Sequence, residues 1–241
     1  EERGSIRLEE FDIKKSELKN AEMINNIYNN PVASAFFGLV KPFLPFIGDF
    51  TDEVIKNKLS DFQGIKRKEF CEIVFSNYEL VTIEMVSDVE FIMEFMKTLD
   101  VVNRLSSNNK VKYLANLFKN SYITTKERNL DEYEEWLNRL SDLSYREIIL
   151  LEYLYECDKK MNNLQIESNE PFSIKQKSWE LFLQNEKKLF GLNDIDLSAI
   201  ISGTSRTGFC QMVGALNQPI DSSTNTYYIT DYFRRFAEKI K

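Results

Sequence analysis

Guanidinium, hydroxyl and amide side chains gather near the end of this chain. Arg206, Thr207 and Gln211 fall in one short run, Asn217 follows, and Arg234, Arg235 and Lys239 recur in a closing segment of helical pattern. Groups of this kind read base edges and hold phosphates, so nucleic-acid binding is the first chemistry to weigh. In that reading Arg206, Thr207, Gln211 and Asn217 face the bases, while Arg234, Arg235 and Lys239 sit near phosphate. The charge balance opposes it. The 241 residues carry 31 Lys and Arg against 38 Asp and Glu, a net charge of −7, and Arg206 is the only charged residue from Thr204 through Asn217. Phosphate surfaces concentrate cations. The same residues therefore fit a protein-docking surface better, with DNA binding as the disfavoured alternative.

Catalytic chemistry has little to work with. The chain has no histidine, which removes Ser-His-Asp and Cys-His activation, imidazole acid-base work and His-based metal sites. The acids Asp131, Glu132, Glu134 and Glu135 open a helix, where carboxylates complement the macrodipole and face water. Gly203 and Gly208 flank Thr-Ser-Arg-Thr without the Lys-Ser/Thr ending of a phosphate loop. Cys71, Cys157 and Cys210 lie far apart, reading as buried reduced thiols in a cytoplasmic protein and not as ligands. The expectation is a non-enzymatic protein with no cofactor and no metal.

The elements that must position these residues are mostly helices. Hydrophobic residues make up 43% of the chain with only 8 Gly and 5 Pro, which suits helices with a substantial core better than a turn-rich sandwich or barrel. Residues 1–30 show a broken stripe of Ile13, Leu18, Met23, Ile24 and Ile27, a peripheral arm. Residues 31–50 are crowded with apolar side chains, yet Pro42, Pro45 and Lys41 count against a membrane crossing. This segment reads as an apolar strap; the alternative is a peripheral membrane or partner contact through Phe36, Phe37, Phe43 and Phe46.

From Asp52 onward the periodicity is helical, starting with Val54, Ile55, Leu59 and Phe62. Val81, Met85, Val89, Ile92, Met96 and Leu99 then form a seam suited to a bundle or a dimer interface, widened by Phe91, Phe95 and Val102. Val111, Leu114, Ala115 and Phe118 mark the next buried face, and Tyr133, Trp136, Leu137 and Leu140 another. Ser144 with Glu147 spells a capping box. Trp179, Phe182, Leu183 and Leu189 face inward on a later helix. A boundary is expected near residues 158–172.

After it, Ile195, Leu197 and Ile200 or Ile201 define a short helix stopped at Gly203. Thr204 or Ser205 then caps a second helix carrying Phe209, Met212, Val213 and Leu216. A polar loop, a strand at Tyr227–Thr230 and a helix capped by Thr230 or Asp231 complete a winged helix-turn-helix-like module.

The run from Lys110 to Ser121, with Tyr113, Leu114, Ala115, Asn116 and Leu117, and the run from Leu140 to Leu150, with Ser141, Leu143, Ser144 and Glu147, together carry a likeness. Over about residues 31–157 the chain resembles the bacterial abortive-infection alpha family, in which a K-x-x-Y-F/L-A-N-L-L helix precedes an L-S-x-L-S/D helix. That resemblance implies a cytoplasmic protein of phage defence or mobile elements, without a defined reaction and without catalytic residues to transfer.

The expected architecture is mainly α. An N-terminal arm and strap (1–50) and an elongated helical bundle (51–160) precede a winged-helix-like module (172–241). The expected function is interaction and homo-oligomerisation, with a protein partner docked on the C-terminal module. A DNA-binding regulator and a membrane-acting effector are the alternatives.

Overall fold

Phenylalanines build the first core. Phe70, Phe91, Phe95 and Phe118 are buried, and their rings meet at 5.5 Å (Phe70 with Phe95), 5.5 Å (Phe95 with Phe118) and 5.2 Å (Phe91 with Phe118), within the range of favourable edge and tilted pairs. The computed structural model describes residues 53–125, 129–163, 171–213 and 226–241. The arm, the strap with Phe36, Phe37, Phe43 and Phe46, and Asn217 lie outside the described residues, as do the side chains of Val54, Ile55, Leu59, Phe62 and Leu189.

Contacts divide the chain into two units, one ending at Leu130 and also holding Ile240, the other running from Asp131 through Lys239 with Lys241. The division differs from the boundary expected at 158–172. The helices on either side of residue 144 turn their aromatics onto the closing helix, with Trp136 at 6.2 Å from Phe236 and Tyr155 at 5.9 Å from Phe233.

In the first unit, α1 (Glu53–Val74), α2 (Ile83–Ser87), α3 (Val89–Arg104) and α4 (Val111–Phe118) follow in order, with 3-10 turns at Phe75–Leu80 and Asn108–Lys110 and a π turn at Lys119–Ile123. Asp88 ends α2 at ψ 122 and caps α3 by accepting from the Glu90 N–H. The continuous seam expected through Val81 and Met85 therefore breaks there. On α3 the buried face is Phe91, Phe95, Leu99 and Val102, whereas Val89 is 68% exposed. Lys66, almost wholly buried, donates to the Asn103 and Leu105 carbonyls at 3.0 and 2.6 Å. It thereby satisfies the carbonyls that the end of α3 leaves unpaired.

Apart from the end residues Leu130 and Ile240, the second unit holds α5 (Leu130–Asp142), α6 (Tyr145–Asn163), α7 (Pro171–Phe190), α8 (Asp194–Thr204), β1 (Cys210–Val213), β2 (Thr226–Ile229) and α9 (Asp231–Ile240). The described residues are thus mainly helical, with nine α-helices and one small sheet. Tyr133, Trp136, Leu137 and Leu140 are buried on α5. The capping box forms: the Ser144 N–H donates to Glu147 at 2.7 Å and the Glu147 N–H to Ser144 Oγ at 3.2 Å. Thr230 caps α9 by accepting from the Phe233 N–H. On α8, Leu197 and Ile201 are buried but Ile195 is 64% exposed, against expectation.

The second helix expected from Thr204 or Ser205 is corrected. Residues 205–207 make one 3-10 turn, Gly208 adopts φ 72, and Cys210–Val213 is a strand pairing antiparallel with Thr226–Ile229, Cys210 opposite Ile229 and Gln211 opposite Tyr228. A left-handed residue at Gly208 ends the helical path at no steric cost. A flap of two strands stands where a helix-turn-helix would place its recognition helix.

Candidate docking surface

Arg206 leaves the 3-10 turn after α8 and reaches the start of α6. Its guanidinium meets Glu147 Oε1 at 2.7 Å, donates to the Asp142 carbonyl at 3.2 Å and also bonds the Gly203 carbonyl. Burial raises the Glu147 pKa, but hydrogen bonds from Arg206 and Ser144 prevail and hold it below the ordinary carboxylate value. Thr207 is buried, its hydroxyl donating to the Thr204 carbonyl at 2.6 Å. On α9, Arg234 pairs with buried Asp158 at 2.7 Å and with Asp231 at 2.5 Å. Arg235 pairs with Glu132 at 3.3 Å and lies over the Tyr232 ring. Lys239 is half-buried. Gln211 is exposed on β1, accepting from the Tyr228 hydroxyl at 2.6 Å.

Arg206, Arg234 and Arg235, nominated for base and phosphate contact, are thus each held by acids of the fold. These carboxylates belong to the same unit and compete with an external phosphate for the three guanidinium groups. Local sequence could not show this, since Arg206 and Glu147 are 59 positions apart.

What the sequence missed is a groove along α6. Ile149, Tyr153, Glu156 and Lys160 recur at i, i+4, i+7 and i+11, which puts them on one side of the helix, and with Glu152 and Lys241 they line a space of about 440 Å³. The opposite sides of α6 are buried through Ile148, Leu151, Leu154 and Tyr155. A usable signal was present: apolar Ile149 and Tyr153 stand among charges on the one face that the core does not need.

Lys159 and Lys241 both donate to Glu156, at 2.6 and 2.7 Å, and these bonds, Lys159 first, hold its carboxyl below the ordinary value. Both ammonium groups also lie over the Tyr155 ring, at 4.7 and 5.2 Å. A carboxylate held ionised between two cations is an anchor for a bound polar group and a poor proton acceptor at neutral pH. On the flap, Met212 is 52% exposed, and Lys175 sits 3.6 Å over the Tyr228 ring.

Burial blunts two of the three thiols and one tyrosine hydroxyl. Burial pushes the Cys71 and Cys210 thiols up to about 12, and thiolate chemistry fails at such values. Burial, then the hydrogen bond to Glu135, pushes Tyr232 up to about 12 as well. Among the described residues no group of three or more His, Cys, Asp or Glu is placed to hold a metal, and no helix is long and apolar enough to cross a membrane. Comparisons with protein-family models, curated proteins and solved structures returned no match.

Proposed function

We propose that this chain is a non-enzymatic interaction and oligomerisation protein whose C-terminal unit docks a protein partner. The context is the cytoplasmic phage-defence or mobile-element setting implied by its resemblance to the abortive-infection alpha family. The observation that carries the reading is the α6 groove. Ile149 and Tyr153 supply an apolar strip, and Glu152, Glu156, Lys160 and Lys241 edge it with both signs of charge. A mixed strip of this kind suits an amphipathic polypeptide segment, which brings apolar anchors at helical spacing and polar groups for the rim.

In the same reading the two paired strands take the part of a wing-like flap, and Met212 is exposed on it. The pairing of Arg206, Arg234 and Arg235 with acids weighs against a nucleic-acid partner. Two measurements test the reading together. Affinity capture from the native host should retain a partner that Tyr153→Glu loses and Arg235→Ala keeps. Titration with duplex DNA at physiological salt should give no tight complex; nanomolar binding there would refute protein docking as the main task.

A further inference from the structure

Helix α3 keeps a second apolar face in water. Val89 is 68% exposed and Met93 53%, with Ile92 and Met96 half-buried beside them. Val89, Met93 and Met96 recur at i, i+4 and i+7, so they lie in one stripe. Contiguous exposed apolar surface of that kind marks an interaction site.

The charges on its flanks say what covers it. At about 100° per residue, Glu90 and Lys97 stand about 60° and 40° to one side of Met93, while Val89 and Met96 stand about 40° and 60° to the other. Along the axis, Glu90 lies about 4.5 Å before Met93 and Lys97 about 6 Å after it. A two-fold axis through Met93 that runs two helices antiparallel matches each flank with itself in reverse. Glu90 then faces Lys97 of the second copy, Val89 faces Met96, and Met93 meets Met93. A parallel pair would instead set the flank of Glu90 and Lys97 against Val89 and Met96 of the second copy, burying unpaired charge on apolar side chains. Lys97 also bonds Glu94 of its own helix at 2.6 Å, which fixes its ammonium on that flank.

We propose that α3 is a self-association surface on which two copies of this chain pair antiparallel across Met93. This rests on the oligomerising part of the reading above and is independent of the α6 groove.

Sedimentation velocity of the full chain should show a monomer–dimer equilibrium. Met93→Glu should raise its dissociation constant about 30-fold or more, because a desolvated charge would sit at the interface centre, with the helical circular dichroism unchanged. Met93→Cys should form a disulfide-linked dimer under mild oxidation. Asp100→Cys, on the same stripe, should not, since antiparallel copies hold those positions about 21 Å apart, beyond disulfide reach. A chain monomeric at every concentration, a dimer indifferent to Met93→Glu, or cross-linking through Asp100→Cys in preference to Met93→Cys would overturn the inference. A monomer that still captures its partner through Tyr153 would overturn it while leaving the docking reading intact.

Discussion

The Arg206 guanidinium meets the Glu147 carboxylate at 2.7 Å and fastens the capping box at the start of α6 to the turn that follows α8. One carboxylate thus serves two ends: it accepts from the Ser144 N–H and from an arginine 59 positions away. The groove residues stand farther along the same helix, so this clamp sets the entry of the element that carries them.

Removing either partner should loosen the second unit without unfolding the chain. Arg206→Ala should cost about 1 kcal/mol, since the arginine is half-exposed and solvent screens the pair. Glu147→Ala should cost about 1–2 kcal/mol because the cap is lost as well. Urea denaturation of each variant checks both values.

The same pair gives stability a pH dependence of known sign. The Glu147 carboxyl titrates lower in the folded than in the unfolded chain. Its contribution is therefore fully present above the unfolded value near 4.3, and is lost as pH falls through the lower folded value. The stability gap between the wild type and Glu147→Gln should hold steady from about pH 7 to pH 5 and shrink below about pH 4. A gap that widens on acidification would contradict the pairing.

Gly208 is held at φ 72, and a Cβ there would stand 3.4 Å from Arg139 Nη1, the end of a flexible side chain. Backbone strain and not crowding should dominate the effect of Gly208→Ala, at about 1–2 kcal/mol. Thermal denaturation measures it, and Gly208→Asn should cost less because Asn tolerates the left-handed region.

Phe118 contacts Phe70, Phe91, Phe95 and Tyr122 and is wholly buried. Phe118→Ala should destabilise the first unit by about 3–5 kcal/mol through lost burial and the cavity left behind. Hydrogen exchange of the α1 and α4 amides reports that loss directly.

Helix faces were legible where only one side of a segment is apolar. Tyr133, Trp136, Leu137 and Leu140 on α5, and the Ser144 and Glu147 cap, follow from local spacing alone. Cys210–Val213 did not, because Phe209, Met212, Val213 and Leu216 satisfy helical spacing, and only the turn at Gly208 and pairing with Thr226–Ile229 decide for a strand. On α3 both faces are apolar, so the sequence could not choose between the Val89 and Phe91 stripes; packing against α1 and α4 selects the second. The ion pairs of Arg206, Arg234 and Arg235 join residues far apart in the chain, and the α6 groove exists only after the remaining faces of that helix are covered.

Docking through the α6 groove is tested most directly by a photo-reactive amino acid placed at Tyr153, with irradiation in the native host and analysis of the adducts. The expected result is covalent capture of a polypeptide at Tyr153, diminished by Ile149→Glu and not reproduced by the same probe at exposed Lys177 on α7. Adducts with nucleic acid, or equal capture from Tyr153 and Lys177, would contradict it.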